Sequence, residues 1–133
     1  MITLDKSMEI GVTIIDVQHK ELIDRINTVS SMGMKSATKE EIQKTIDLLG
    51  SYILKHFRDE EDLQKQAGFP KYEWHKGQHQ IYIGEFEKLK KEFADNGASP
   101  KFMLNLNNSI ISWIVKHIKY ADVEFGKFYK GRK

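Results

Sequence analysis

Cysteine is absent from the 133-residue chain, which excludes disulfides, thiolate metal sites and thiol nucleophiles. Proline occurs only twice, and so few chain breakers favour long helices over a turn-rich β architecture. No apolar run approaches the roughly 20 residues of a membrane span, so membrane insertion is not expected. The stretch MITLDKSMEIGVTIID lacks a basic segment followed by an unbroken apolar one, and no signal peptide is read there. An excess of charge of one sign is also lacking. The 21 basic residues interleave with 19 acidic ones for a net charge of +2, a solvated surface with no nucleic-acid footprint. What is present, 40% hydrophobic and 30% charged residues, is ordinary for a soluble globular protein. The expectation is one cytoplasmic domain over 1–133.

Apolar periodicity predicts an all-α, up-down-up-down four-helix bundle behind an extended N-terminal arm, 1–15. The first helix is expected over 16–33, with Asp16 as N-cap and Leu22, Ile23, Ile26, Val29 and Met32 as its stripe. Gly33 and the KSATK stretch end it. Thr38 and Glu41 form a T-x-x-E capping box for a helix over 38–67, which Gly68 and Pro70 stop. A third helix spans 71–95 and ends at Asn96-Gly97. Ser99-Pro100, N-cap and first helical position, open a fourth over 99–129.

Several positions on these apolar stripes are polar. His56 and Glu60 occupy the seam of the second helix, one turn apart. His75 and His79, from the hexapeptide WHKGQH, occupy the seam of the third. His19 lies one turn before Leu22 and Ile23 on the inner face of the first. His117 and Asp122 come from the fourth, in HIKYAD. Five residues span roughly 140° more than a full turn of an ideal α-helix, so this pair flanks the Ile118/Ala121 face; a local π-turn would draw the two together.

A lone histidine on an apolar face is more often a satisfied core residue than a ligand. The joint pattern differs, because all five histidines of the chain fall on inward-facing positions of four helices, with two carboxylates beside them. Unpaired, such groups would cost several kcal/mol to bury; a bound metal relieves both kinds. Seven donors exceed the three or four that one zinc takes, and calcium prefers oxygen. Mixed imidazole and carboxylate donors suit iron, manganese, copper or zinc, and two ions share seven donors sensibly. Neither the H-E-x-x-H zinc pattern nor the paired Glu-x-x-His signature of common di-iron bundles is present. The centre is therefore rich in histidine and poor in carboxylate, a donor set that favours binding oxygen over high-valent chemistry.

IDVQHKEL around His19, HFRDEE with H-x-x-x-E, WHKGQH with H-x-x-x-H and HIKYAD with H-x-x-x-x-D together resemble a hemerythrin of the single-domain bacterial type, over nearly the whole chain. The resemblance implies reversible dioxygen binding at two non-haem irons joined by an oxo or hydroxo bridge. It implies that His75, His79 and His117 bind one iron, that His19 and His56 bind the other, and that Glu60 and Asp122 bridge them. Two six-coordinate irons then keep a single vacancy, on the iron with two histidines, and dioxygen would take it. Leu22, Phe57, Trp113 and Ile118, near the ligands in sequence, are expected to wall a dry oxygen pocket.

The implied role is an oxygen carrier, buffer or scavenger, with dioxygen as ligand and no catalytic residue. The alternatives are a di-iron oxidase, a peroxidase or nitric-oxide-handling enzyme, or a sensor acting through a protein partner. One departure is visible: Leu4 stands where bacterial members typically carry an arm tryptophan, ahead of Gly11-Val12, which bears on how firmly the arm is seated. Gly77, inside the third helix, costs up to about 1 kcal/mol relative to alanine, and close packing of a neighbouring helix is its expected reason.

Overall fold

The computed structural model describes residues 2–33 and 37–132; part of the KSATK stretch lies outside them. The described residues form helices and no strand. A 3-10 turn, Lys6–Met8, interrupts the arm. It is followed by α1 (Thr13–Gly33), α2 (Lys39–Ala67) and α3 (Tyr72–Asn96). The fourth bundle helix is continuous but composite. Three α-helical pieces, α4 (Pro100–Asn105), α5 (Ser112–His117) and α6 (Val123–Gly131), are joined by π-helical turns at Leu106–Ile111 and Ile118–Asp122. Neighbours in sequence pack together: α1 on α2, α2 on α3, and α3 on the fourth helix.

The capping signals act as their chemistry requires. Thr38 accepts from the Glu41 amide at 3.1 Å, and the Glu41 carboxylate accepts from the Thr38 amide at 3.2 Å. Gly68 ends α2 in the left-handed region, φ 70°, with its N–H turned back to the last carbonyls. Ser99 caps α4, accepting from the Phe102 amide at 3.0 Å, with Pro100 at the first helical position.

The start of α1 differs from the sequence expectation. Its ladder is already running at Val12, whose carbonyl accepts from the Asp16 amide at 2.9 Å, so Asp16 lies inside the first turn and is not the N-cap. Its carboxylate reaches back to the amides of Ile10 and Gly11, at 2.9 and 3.1 Å. One side chain thereby satisfies two arm amides just ahead of α1 and clamps the arm to the first turn of that helix. At the other end of the arm, Asn27 exchanges two hydrogen bonds with the Ile2 backbone, at 3.0 and 2.7 Å. Leu4 rests partly buried against the main core. The arm is thus held on both sides of Leu4.

The apolar interior is divided. The larger cluster runs from Leu22, Ile26, Ile53, Phe57, Tyr82 and Ile118 to Phe93 and Phe102 at its far end. A smaller one, Ile10, Val12, Ile15, Phe69 and Phe125, closes the end where the arm crosses the bundle. Along α1, α2 and the fourth helix the two are separated by polar seam positions: His19 follows Ile15, Glu60 lies between Phe57 and Leu63, and Asp122 precedes Phe125.

Three glycines mark close approaches, Gly11 against the Lys130 side chain, Gly50 and Gly126, and Gly77 is not among them. A Cβ on Gly126 would meet the Ile10 backbone, and one on Gly50 would lie 2.8 Å from the Phe86 ring. Nothing lies within 4 Å of a Cβ on Gly77, so the close packing expected at Gly77 is absent.

Candidate metal centre

All seven sequence-selected donors meet in the polar layer, each completely or almost completely buried. Helical spacing accounts for most of this: His56/Glu60 and His75/His79 each stack one turn apart on an inner face. The five-residue step of His117 and Asp122 is handled by the π-helical turn Ile118–Asp122, whose longer repeat puts residue i+5 above residue i. His117 Nε2 thereby lies 3.0 Å from Asp122 Oδ1.

The donors form two overlapping groups, Glu60, His75, His79, His117 and Asp122 in one and His19, His56, Glu60 and Asp122 in the other. The two carboxylates belong to both. Asp122 shows how: its Oδ1 lies 2.8 Å from His75 Nε2, and its Oδ2 lies 2.9 Å from His19 Nε2. Glu60 Oε1 lies 3.2 and 3.1 Å from Nε2 of His75 and His79, and the His75 and His117 Nε2 atoms are 3.1 Å apart.

Apart from the His75–His117 pair, these short contacts are not ordinary hydrogen bonds. His19 Nε2, His56 Nε2, His79 Nε2 and both oxygens of Glu60 and Asp122 are buried with no hydrogen-bond partner among the described residues. Close approach without hydrogen-bond geometry is what results when atoms aim at a common point instead of at one another. Donor atoms each about 2.1 Å from one ion, at right angles about it, lie about 3.0 Å apart. The observed separations of 2.8–3.2 Å match that figure, and a mixed imidazole–carboxylate set suits a transition metal. The residues fit a metal centre.

Burial opposes a charge on His75, yet the Asp122 and Glu60 carboxylates, which face its Nε2 and would accept from the protonated ring, outweigh it and push this imidazole up to about 10. His19 and His79 are raised for the same reasons, through Asp122 and Glu60 respectively. Burial dominates at His56, which falls to about 4. Burial and the Asp122 charge work against ionised Glu60, but His75 and His79 hold it down at about 2. Asp122 is likewise held well below the usual carboxylate range, by His117, His19 and His75 against the cost of burial.

Residues 10–128 match the family model described as the hemerythrin HHE cation binding domain. The chain belongs to the hemerythrin family. It is 27% identical to a bacteriohemerythrin of Methylococcus capsulatus over 111 residues, covering 84% of this chain and 82% of that one. It is 25% identical to the myohemerythrin of Sipunculus nudus over 128 residues, covering 96% and 90%. A crystal structure of wild-type hemerythrin superposes with a TM-score of 0.83 at 26% identity, covering 97% of this chain and 98% of that one.

Within this hemerythrin-family chain, groups outside the seven donors set the orientation of the rings. Gln18 Oε1 lies 2.8 Å from His56 Nδ1, and Gln18 Nε2 donates to Asp59 at 2.8 Å. Glu61 Oε2 lies 2.7 Å from His79 Nδ1. An acceptor at Nδ1 holds the proton there and leaves Nε2 free to face the centre. Neither Gln18 nor Glu61 was singled out from the sequence. Each directly adjoins a donor, and only the fold brings Gln18 across to α2 or Glu61 across to α3.

Of the four pocket residues, Leu22, Phe57 and Ile118 are buried and Trp113 is partly buried. The Phe57 ring stacks on His79 with centroids 3.8 Å apart and planes 3° apart, and lies 5.8 Å from the His56 ring. Trp113 stacks on His117, centroids 4.7 Å apart and planes at 13°. The two aromatic rings therefore press on the three-histidine group, and Phe57 reaches both groups. No helix among the described residues is long and apolar enough to cross a membrane.

Proposed function

We propose that this chain binds dioxygen reversibly at a non-haem di-iron centre, as a carrier, buffer or scavenger. One observation carries the reading: two buried donor groups, with three and two imidazoles, share both Glu60 and Asp122. In this reading His75, His79 and His117 hold one ion, His19 and His56 the other, and the two carboxylates span both. When bound, a pair of irons with its oxo or hydroxo group would supply the two electrons that dioxygen takes up on binding.

The chain's own residues do the rest. Gln18 and Glu61 keep the His56 and His79 rings in register by fixing the Nδ1 proton. Leu22, Phe57 and Ile118 would keep water from the position beside His19 and His56, while Trp113 covers His117 of the other group. The unequal split of imidazoles would leave room for dioxygen on the His19 and His56 side. A donor set with five neutral rings and two carboxylates favours holding oxygen over activating it. We place this activity in the cytoplasm on composition alone.

Metal analysis with gas uptake tests the proposal. Two irons and one dioxygen per chain are expected, the gas being recovered on evacuation. A single ion per chain, or zinc alone, would overturn it.

A further inference from the structure

His56 and His79 are both held through Nδ1, but by partners of different kinds. Glu61, facing His79, is a carboxylate; ionised, it only accepts, so either oxygen keeps the proton on Nδ1. Gln18, facing His56, is an amide, whose oxygen and nitrogen are nearly alike in size and shape. Packing alone does not choose between them, even at a side chain as buried as Gln18. The wrong choice disables the ring. An amide nitrogen at Nδ1 donates to it and drives the His56 proton onto Nε2, the atom that faces the metal layer.

Asp59 removes the ambiguity. It stands one turn after His56 on α2, outside both donor groups. Its Oδ2 accepts from Gln18 Nε2 at 2.8 Å and from Lys55 Nζ at 2.9 Å. A partly buried carboxylate beside a lysine is ionised at neutral pH and has no proton to donate. The amide nitrogen must then face Asp59, its oxygen must face His56 Nδ1, and His56 Nε2 is left bare. The chain of contacts runs from Lys55 and Asp59 on α2 to Gln18 on α1 and back to His56 on α2, each link 2.8 or 2.9 Å long.

We propose that Asp59 is a positioning residue for His56: it sets the direction of the Gln18 amide and, through it, which nitrogen of the ring meets the metal. The inference deepens the di-iron reading and rests on it for the identity of the ion alone. Any cation held by His56 through Nε2 needs the same bare nitrogen.

The test compares full-length, metal-loaded proteins: the parent, Asp59→Asn, Gln18→Glu, the double variant, and Asp62→Asn. The last removes an equal charge from an exposed site on the same helix. Competition with a chelator of known affinity reads metal binding at pH 7. Asp59→Asn should weaken it about fivefold, because asparagine offers Gln18 an acceptor or a donor and the amide loses its direction. Asp62→Asn should change it by less than about twofold. Gln18→Glu sets two carboxylates against each other and should weaken binding about tenfold. In that background Asp59→Asn should strengthen binding about fivefold, since the new amide donates to the new carboxylate and leaves its other oxygen for His56 Nδ1. The same substitution thus changes sign with the residue at position 18. Exchange of the His56 Nδ1 proton into heavy water, followed by NMR, should quicken about fivefold in Asp59→Asn and not in Asp62→Asn.

Unaltered affinity in Asp59→Asn, an equal loss in Asp62→Asn, or a further loss in the double variant overturns the role of Asp59. Zinc or a single ion in every protein refutes the di-iron reading instead, and the order of the affinities still decides what Asp59 does.

Discussion

His117 and Asp122 stand five residues apart, and one π-helical turn brings His117 Nε2 to 3.0 Å from Asp122 Oδ1. The same carboxylate faces His75 with Oδ1 and His19 with Oδ2, so three helices depend on a single aspartate. Asp122→Asn keeps its shape and removes its charge. It is expected to reduce bound metal below two ions per chain and to destabilise the metal-free fold by about 3 kcal/mol or more at pH 7. Metal analysis and denaturant titration check both. Full metal content in the variant contradicts the bridging role.

The rings are aimed by groups that carry no metal. Gln18→Ala and Glu61→Ala should each weaken metal binding by about 10–100-fold while leaving the helix content unchanged. Competition with a chelator of known affinity measures this. An unaltered affinity in both variants would show that packing alone, such as Phe57 stacked on His79, orients the imidazoles.

Which of these residues the sequence exposes follows from how each departs from pattern. Five of the seven donors are legible because each interrupts the apolar face of its helix, and His117 and Asp122, which flank such a face, are legible through the H-x-x-x-x-D spacing of HIKYAD. Gln18 and Glu61 break nothing; a polar residue beside a boundary position is what any surface helix carries. The caps at Thr38, Gly68 and Ser99 are legible because they involve only local chemistry. The start of α1 is not, because Asp16 has the identity of a cap but spends its carboxylate on the arm amides of Ile10 and Gly11. The π-turn at Leu106–Ile111 left no mark either, since Leu106, Ile110 and Ile111 are buried much as an α-helical stripe would bury them. The turn at Ile118–Asp122 shows only because chemistry-bearing residues flank it.

Proton uptake by the metal-free cluster has a definite direction. His75, raised to about 10, binds its proton more tightly folded than unfolded. Its contribution to metal-free stability is complete below about pH 6.5 and is lost as pH rises through about 10. His56, lowered to about 4, contributes above about pH 6.5, and that contribution is lost as pH falls through about 4. Metal must displace the His75 proton, and His19 and His79 are shifted the same way. Metal uptake at pH 7 should therefore release protons, with affinity rising about tenfold per pH unit for each proton displaced. Calorimetry in buffers of different ionisation enthalpy reads the number directly. Uptake without proton release contradicts this electrostatic account.

Two glycines of the bundle should respond in opposite ways to the same change. Gly77 is exposed with open space around it, so Gly77→Ala should stabilise the protein by up to about 1 kcal/mol through helix propensity alone. Gly126 packs against the Ile10 backbone, and alanine there should displace the arm and lower the melting temperature. Thermal unfolding of the two variants checks the pair. A Gly126→Ala protein as stable as the parent would mean the arm is not held where Asp16 and Asn27 place it.

Oxygen titration followed by optical absorption tests the central claim most directly. The reduced, iron-loaded protein is colourless by expectation; adding dioxygen should produce a visible charge-transfer band, and removing the gas should abolish it over repeated cycles. Oxidation that persists after the gas is removed, or oxygen consumed in continuous turnover, contradicts reversible binding at the centre built on Glu60 and Asp122.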